Sequence, residues 1–288
     1  MANTIGTSTL SGVWRIKYAQ ATLNLALRSA LVAEKICQVD RSDSYYITNP
    51  YLTGATAAVA AVAGNYAVST ATTTDDTCTV TDQVTYGVHL FEFEQSLARA
   101  DLYTSFVQDM TNAIGVKVDQ FVLNKVLAGA TGTYTTAVGG FQTPSNINGI
   151  IGDLTGIVSG YSQSYKGLFL VIENTELSGF IQAGMTNGFA FADSVLNNGF
   201  GGRYAGVEIY VVRAGTFTSS AIGTLSPTNL GHRLFGVKEM ATYAAPRGAQ
   251  YVEKDVTLLT GKEIAMWANI GAKVWTPTAA LLVNITLA

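Results

Sequence analysis

The feature that most constrains this chain is a long amphipathic stretch near its middle. Large apolar residues recur there every three to five positions, which places them on one face of an α-helix: Tyr103, Phe106, Met110, Ile114, Val118, Phe121 and Val126. The positions between them carry the polar residues Gln108, Asp109, Asn112, Asp119 and Asn124. The pattern predicts a helix over residues 102–127, about 39 Å long. Its apolar face should lie across a flat apolar surface, with the other face in solvent or against a neighbour.

The ends of this helix carry their own signals. Asp101 is predicted to cap the first turn, and Gly129 to end the last. Gly115 in the middle costs roughly 1 kcal/mol relative to alanine, so we expect a slight bend or the close approach of another backbone there. We call this element the spine helix. The stripe alone also fits a core helix of an unrelated α/β protein.

The composition indicates a surface that is covered by other molecules. Charged residues make up 13% of the 288-residue chain, and hydrophobic residues 48%. A typical globular protein has about 25% charged residues. The core is therefore of ordinary size, whereas the surface is unusually poor in charge and suits a subunit covered by copies of itself. The net charge of −3 offers no bulk attraction for nucleic acid, although this does not prevent the protein from enclosing it.

No targeting or membrane signal is evident. The first ten residues lack a basic start followed by an apolar run. The longest apolar run, residues 57–63, is far shorter than the roughly 20 residues that span a bilayer. We expect a soluble protein made in a cytosol, with no membrane partner. Cys37 and Cys78 are too few for a disulfide scaffold, and two free thiols are favoured over a bridge between them.

The first part of the chain is predicted to be an arm followed by a helix. Residues 1–12 are small and polar, and residues 14–36 have helical periodicity. The basic residues Arg15, Lys17 and Arg28 lie off the apolar face of this second helix. A solvated face is their favoured interpretation, ahead of a contact with an acidic neighbour or nucleic acid.

The composition of residues 38–93 indicates an extended β-structure. Short β-prone runs are separated by glycine and aspartate, at residues 45–48, 66–70 and 77–80. Residues 84–90 alternate cleanly, and a change of phase at Leu90 and Phe91 predicts a bulge. This segment has too few large apolar residues for a core of its own. It is predicted to be a projecting two-stranded arm that lies on another subunit; an ordinary β-subdomain is the alternative.

The second half of the chain is predicted to contain both helices and strands. Residues 131–145 form a Gly/Thr-rich connection, and 168–172 a buried strand. Helical stripes are predicted at residues 147–158 and 177–183, and further strands at 207–212, 234–245, 256–259 and 283–287. The glycine-rich residues 199–203 lack both the dinucleotide fingerprint and the Walker lysine, and they precede a strand, so a phosphate loop is rejected.

The sequence offers no catalytic, metal or cofactor site. Neither His89 nor His232 has a neighbour at a spacing that suggests a base, nucleophile or metal ligand. Glu92 and Glu94 would lie on the same side of a strand, and surface carboxylates explain them better than an acid/base pair. HExxH, GxSxG and CxxC are all absent. We therefore predict a protein that is not an enzyme.

The order of these parts carries a resemblance. A helical arm beginning near Trp14 is followed by a β-arm ending in VTYGVHLFEFE and by a long helix ending in VDQFVLNKVLAG. An α/β region then contains GLFLVIENTELSGFIQAG and GGRYAGVEIYVVRAG, and GKEIAMWANIGAKVWTPTAALLVNITL follows. Over nearly its full length the chain resembles the major capsid proteins of tailed bacteriophages, which have the HK97-like fold. Each motif is loose, and the order of elements is the stronger signal.

The resemblance implies an α+β fold in five parts. These are an N-terminal arm (1–36), an extended β-loop (37–93), a peripheral domain with the spine helix (94–144), an axial domain (145–255) and the return strands of the peripheral domain (256–288). It also implies hexamers and pentamers in an icosahedral shell around double-stranded DNA, assembled in the host cytoplasm as the virion capsid. Scaffolding, portal and decoration proteins are the further partners it implies. The DNA is enclosed without sequence-specific binding, and no cofactor is implied.

Two departures and two alternatives accompany the resemblance. Trp14 comes too early for the long, cleaved assembly segment of some family members, which implies a separate scaffolding protein or none. Other members join a lysine of the extended loop to an asparagine of a neighbour, but no lysine lies between Lys35 and Lys117. The first alternative is the similarly folded shell protein of a bacterial compartment, which holds enzyme cargo. The second is a surface-layer or tail-tube protein.

Overall fold

The computed structural model describes residues 31–53, 71–91, 100–161, 167–186, 200–255 and 261–288. Its helices are α1 (Val32–Ile36), α2 (Ala100–Gly129), α3 (Pro144–Tyr161) and α4 (Leu177–Thr186). Its strands are β1 (Gln38–Asp40), β2 (Tyr46–Thr53), β3 (Thr72–Thr79), β4 (Asp82–Phe91), β5 (Gly132–Thr135), β6 (Leu168–Glu173), β7 (Phe200–Tyr204), β8 (Val207–Val212), β9 (His232–Val237), β10 (Ala241–Ala244), β11 (Ala249–Asp255), β12 (Gly261–Val274) and β13 (Leu282–Thr286). Short 3₁₀ turns lie at Gly140–Gln142, Asn174–Glu176 and Thr276–Leu281. The predictions for residues 1–30, 66–70, Glu92, Glu94 and 256–259 fall outside the described residues.

The spine helix is α2, and it is 30 residues long. Most of the predicted apolar stripe is buried, at Met110, Ile114, Val118, Phe121 and Val126. The helix ends at Gly129 as predicted. A Cβ atom at Gly129 would lie 2.9 Å from the Cβ of Val274, so glycine permits this close packing. The helix begins at Ala100, so Asp101 is its second residue and not its N-cap.

The polar face of the helix is exposed at one end and covered by a neighbouring loop at the other, which are the two situations that the sequence predicted. Gln108, Asp109 and Asn112 are exposed. Asn124 is fully buried, because a long loop described below covers that face. Asp119 is half-buried and receives hydrogen bonds from the backbone of α1.

One sheet lies beneath the spine helix and is organised around β12. The first part of β12 pairs with β4 on one edge and with β11 on the other, and its last residues pair with β10, which in turn pairs with β1. Alternate residues of β12 are buried in the core cluster that contains the spine stripe: Ile264, Met266, Ala268, Ile270, Ala272 and Val274. Because successive side chains of a strand point to opposite faces of a sheet, these alternate residues form the face that packs against the helix.

The placement of β4 corrects two predictions. The alternating run at residues 84–90 belongs to this sheet and not to the two-stranded arm, because β4 pairs with β12 along its whole length. The pairing runs without a break from Asp82 to Phe91, so the predicted bulge at Leu90 and Phe91 is absent. The change of phase in the sequence therefore does not change the register of the backbone.

The second sheet has six strands in the order β5-β13-β9-β6-β8-β7. One of its faces packs on α3 and α4, where the predicted residues Ile147, Ile151 and Leu154 are buried. The predicted strand at 168–172 and the helix starting at Leu177 are both present. Two strands of this sheet were missed. The glycine-rich residues 200–204 form edge strand β7, and the predicted connection at 131–145 contains edge strand β5.

The spine helix packs against both sheets and connects these two layers of the subunit. Residues from the other face of the six-stranded sheet, including Phe169, Val171 and Leu234, belong to the same core cluster as the spine stripe. The result is the α+β fold class that the sequence predicts, with the spine shared between two sheets. None of the helices in the described ranges is long and apolar enough to span a bilayer.

Candidate assembly surface

The most exposed described element is the ribbon formed by β2 and β3. Its strands pair antiparallel over eight positions, from Tyr46 opposite Thr79 to Thr53 opposite Thr72. Neither strand pairs with any other strand in the described part of the chain. Most of its side chains face solvent, including Tyr46 (69% exposed) and Leu52 (66% exposed). A two-stranded ribbon alone is marginally stable in water, so this one depends on its root and on what covers it. The predicted two-stranded arm is present, but it is formed by Tyr46–Thr53 and Thr72–Thr79 and not by the whole of residues 38–93. Its contact with another subunit stays a prediction.

Polar contacts hold the root of the ribbon. The Asp76 carboxylate accepts the backbone N–H of Thr276 at 3.0 Å and its hydroxyl at 2.9 Å. Lys273 Nζ lies 2.9 Å from the other carboxylate oxygen. Burial alone would raise the pKa of Asp76, but the bonds from Lys273 and Thr276 outweigh it and hold that pKa below its ordinary value. The carboxylate therefore stays ionised and fixes β3 to the end of β12.

Apolar contacts complete the root. Cys78, Val80, Ala244 and Trp275 form a small buried cluster of their own, with Ile47 packed against it. The indole N–H of Trp275 donates to Thr242 Oγ1 at 2.8 Å, which satisfies the buried polar atom of this large ring. The ribbon thus projects from a fixed base.

The two cysteines are free and buried. This agrees with the preference for free thiols over a bridge. Burial raises the pKa of Cys37 to about 12 and that of Cys78 to about 11. Because the thiolate is the reactive form of cysteine, both side chains act as small apolar residues.

A long loop between β8 and β9, residues 213–231, ties the two layers together; we call it the clamp loop. Its first anchor is Asn124 of the spine helix, whose Nδ2 donates to the Thr216 carbonyl at 2.7 Å and whose Oδ1 accepts from Thr218 N at 3.3 Å. Asn229 Nδ2 donates back to Asn124. Its second anchor is Asp82 at the start of β4, which accepts the N–H of Thr224 at 2.7 Å and its hydroxyl at 2.6 Å.

The third anchor of the clamp loop is a buried ion cluster. Arg233 Nε donates to both oxygens of Glu176, at 2.8 and 2.9 Å, and Arg233 Nη2 donates to Glu173 at 3.1 Å. The remaining oxygen of Glu173 accepts the N–H groups of Gly215 at 3.0 Å and Phe217 at 3.2 Å. Burial raises the pKa of Glu176 and outweighs the opposing effect of Arg233. Each carboxylate is occupied by the arginine or the loop, so the cluster fixes backbone and does not resemble a reaction centre.

The residues considered for chemistry are far apart. His232 Nδ1, at the start of the interior strand β9 of the six-stranded sheet, lies 2.7 Å from Asn284 Oδ1 on β13, whereas His89 lies in the other sheet, on β4 opposite Glu263. Within the described ranges, no group of three or more His, Cys, Asp or Glu residues could hold a metal ion. Residues 200–203 of the glycine-rich run belong to β7, which is followed by strand β8 and not by a helix, so they lack the geometry of a phosphate loop.

Sequence reasoning missed the contact that positions α1. The Asp119 carboxylate accepts the N–H of Val32 at 3.1 Å and of Ala33 at 2.9 Å. Burial raises the pKa of Asp119 to about 7, against the opposing effects of these two hydrogen bonds and of Lys35. An aspartate on a helical stripe gives no signal of a partner 86 residues away in sequence.

Comparison with known proteins finds relatives by structure only. No family model and no curated protein matches the sequence. The capsid of the cyanophage P-SCSP1u is similar with a TM-score of 0.65 and 14% identity, covering 91% of this chain and 89% of that chain. A structure from Mycobacterium phage Che8 gives 0.63 and 12%, covering 86% and 88%. A virus-like particle from Pyrococcus furiosus gives 0.60 and 9%, covering 94% and 98%. At these identities the likeness shows the fold.

Proposed function

We propose that this chain, which has the HK97-like fold of tailed-phage capsid proteins, is the major capsid protein of a phage and builds an icosahedral shell from hexamers and pentamers around double-stranded DNA. The observation that carries the proposal is the ribbon of β2 and β3. It is fixed at its root, yet it exposes Tyr46 and Leu52 along strands that pair with nothing else described. Such an element gains stability when another subunit covers it.

The proposed role is structural and not catalytic. The ion cluster and the clamp loop use their charged and polar groups to fix backbone positions. A closed shell needs subunits in which the two sheets keep a fixed relative position. Small differences in subunit shape would otherwise add up over many copies and change the curvature of the shell. The low charge of the surface favours large, self-complementary contacts between copies of the chain.

The strand pairing supports a division of the subunit into two units. We assign the spine helix, β4, β10, β11 and most of β12 to a peripheral unit, and α3, α4 and the six-stranded sheet to an axial unit. The pairing of β11 and β10 with β12 supports placing residues 241–255 in the peripheral unit. The pairing of β13 with β9 supports placing residues 282–286 in the axial unit. The ribbon of β2 and β3 then corresponds to the extended loop.

Electron microscopy of the purified full chain tests the proposal. Closed, angular shells are the expected result, either from the chain alone or after co-expression with the neighbouring genes of its source genome. Tubes or flat lattices would favour a tail-tube or surface-layer protein. Monodisperse monomers under both conditions would contradict the proposal.

A compartment shell is the second candidate, because the similar structures include a virus-like particle from Pyrococcus furiosus, and a particle with this fold need not be a phage capsid. That match covers 98% of the other chain, so the two subunits have similar extents. The contents of native particles separate the two functions. Nuclease-resistant double-stranded DNA of uniform length supports a phage capsid, whereas a defined protein cargo without DNA supports a compartment.

A further inference from the structure

A cleft of about 240 Å³ lies beside the main core and is lined by residues of α1, the spine helix and strands β10 to β12. Pockets for drug-sized ligands measure about 300–1,000 Å³, so this cleft has room for one or two side chains rather than for a cofactor. Its apolar walls belong to the core cluster beneath the spine helix: Leu31, Val118, Ala245, Ala249 and Ala268.

The buried side chain of Tyr243 reaches this cleft. Tyr243 is 3% exposed, and its hydroxyl makes no hydrogen bond within the described ranges. The charged groups that act on this hydroxyl include Glu34 and Arg41, which both line the cleft. Burial raises the pKa of Tyr243, so the hydroxyl stays neutral and keeps its proton for donation. Because buried hydroxyl groups are normally hydrogen-bonded, this one indicates an acceptor that another molecule supplies.

Two arginines add further donors to the cleft. Arg41 Nη2 donates to Glu34 Oε1 at 2.8 Å, and Glu34 is the only carboxylate among the described residues of the lining. Arg247 Nε lies 3.7 Å from Asp43 Oδ1, but both side chains are well exposed, so this ion pair is weak. The cleft therefore combines apolar walls with an excess of hydrogen-bond donors. This combination suits a carboxylate that is flanked by apolar groups.

One face of the ribbon has the complementary pattern. Asp75 lies directly opposite Pro50 and therefore shares a face with Pro50 and with Leu52, two residues further along β2. Asp75 is exposed, and Leu52 is 66% exposed. The neighbouring Asp76 belongs to the opposite face, which contacts the root. Neither strand contains a lysine or an arginine, so this outer face carries a carboxylate among apolar groups without a basic partner.

We propose that the cleft is a binding site for a carboxylate set among apolar side chains, and that its occupant is the Asp75 face of the ribbon from a second copy of this chain. The carboxylate accepts hydrogen bonds from the Tyr243 hydroxyl and the Arg247 guanidinium, while Pro50 and Leu52 cover the apolar walls. Another copy is needed, because Asp75 forms no ion pair with the described part of its own chain. The occupant rests on the proposed function, whereas the site does not.

A titration of the unassembled full chain with sodium butyrate, followed by NMR, tests the site. The methyl signals of Ala249 and Ala268 should shift in a saturable way, whereas that of Ala183, in the other core cluster, should not. Butyramide has a similar shape without the charge and should bind about tenfold more weakly.

Variants of the two donors make this titration specific. Tyr243→Phe and Arg247→Gln should each weaken butyrate binding about tenfold. Tyr243→Phe removes a hydroxyl that has no partner in the described ranges, so its melting temperature should stay close to that of the wild type. Tyr46→Phe and Arg203→Gln are the matched controls, because both side chains are exposed and lie outside the cleft, and they should leave binding unchanged.

A charge exchange tests the occupant. Asp75→Arg and Arg247→Asp should each reduce the yield of closed particles, counted by electron microscopy, at least tenfold. The two substitutions together should restore the yield, because the opposite charges meet again. Asp75→Arg combined with Arg203→Asp should not restore it.

Each part of the proposal has its own contradicting result. The site is wrong if butyrate causes no saturable shift, or if Tyr243→Phe and Arg247→Gln bind it as the wild type does. The occupant is wrong if Asp75→Arg assembles normally or if the charge exchange brings no recovery. If the wild type itself forms no shells, the occupant fails together with the proposed function, and the titration still decides the site.

Discussion

Asn229 Nδ2 donates to both oxygens of Asn124, at 3.1 Å to the backbone carbonyl and at 3.0 Å to the side-chain Oδ1. Asn124 lies on the spine helix and Asn229 near the end of the clamp loop, 105 residues apart, and both are buried. The pair therefore connects the spine helix to the clamp loop, which begins and ends in the six-stranded sheet. The contact between these two residues has a fixed geometry, because their buried amide groups form hydrogen bonds only when donor and acceptor are aligned.

Replacing Asn124 with leucine should destabilise the subunit by several kcal/mol. The substitution keeps the number and branching of the side-chain heavy atoms but leaves buried partners without their hydrogen bonds, at roughly 1–3 kcal/mol for each unsatisfied group. Asn112→Leu, on the exposed face of the same helix, is the matched control and should change stability by less than about 1 kcal/mol. Urea unfolding of the unassembled subunit measures both. Equal midpoints for the two variants would show that the clamp loop is held by its other anchors.

Val118→Asp tests which face of the spine helix is buried. Val118 is 1% exposed, so the substitution would bury a charge without a partner and should cost several kcal/mol. Loss of soluble expression is the expected outcome. Asn112→Asp introduces the same side chain on the solvent face and should fold with a melting temperature close to that of the wild type. Similar melting temperatures for both variants would reverse the assigned orientation of the helix.

The sequence predicted those parts of the fold that depend on local periodicity. Met110, Ile114 and Val118 repeat at helical spacing, and the helix they predict is present with the predicted end at Gly129. Similarly, the continuous apolar run from Leu168 to Ile172 predicts a strand buried on both faces.

The features that the sequence did not predict have a common physical cause. Asn124 looks like a surface residue, because its burial depends on a loop that begins about 90 residues later in the chain. The pairing of β4 with β12 is equally non-local. Strand β7 was missed because glycines have little intrinsic preference for strands, and the edge of β8 supplies the hydrogen bonds that hold it. Within the assembly surface, periodicity indicated a two-stranded arm, but not the contact of Asp76 with Thr276 that fixes its root.

Shortening the ribbon should separate folding from assembly. Pro50 and Asp75 lie opposite each other in the register, so replacing residues 51–74 with Asn-Gly closes a two-residue hairpin at that point. The contacts of Asp76 and Cys78 with the root remain. We expect a soluble subunit with a nearly unchanged melting temperature that no longer forms closed shells. Electron microscopy and thermal unfolding of the same preparation measure both properties, and normal particles from this variant would contradict the role assigned to the ribbon.

The final prediction is that no covalent bonds join the subunits of the proposed shell. An isopeptide bond from the arm needs an amine nucleophile, and no lysine lies between Lys35 and Lys117. Arg41 does not substitute, because its guanidinium stays protonated. Cys37 and Cys78 are buried with raised pKa values, which disfavours the thiolate needed for disulfide exchange. Stability should instead come from many apolar and hydrogen-bonded contacts over large interfaces.

A denaturing gel decides this prediction. Purified particles are boiled in detergent, with and without a reductant, and a single band near 30.4 kDa is expected in both lanes. Oligomers that disappear with the reductant would mean that the cysteines become accessible in the shell. A ladder that survives the reductant would show that a lysine outside the arm, such as Lys117 or Lys273, links the subunits. Mass spectrometry of the ladder would then identify the residue, and its replacement by arginine should restore the single band because arginine keeps the charge without the nucleophile.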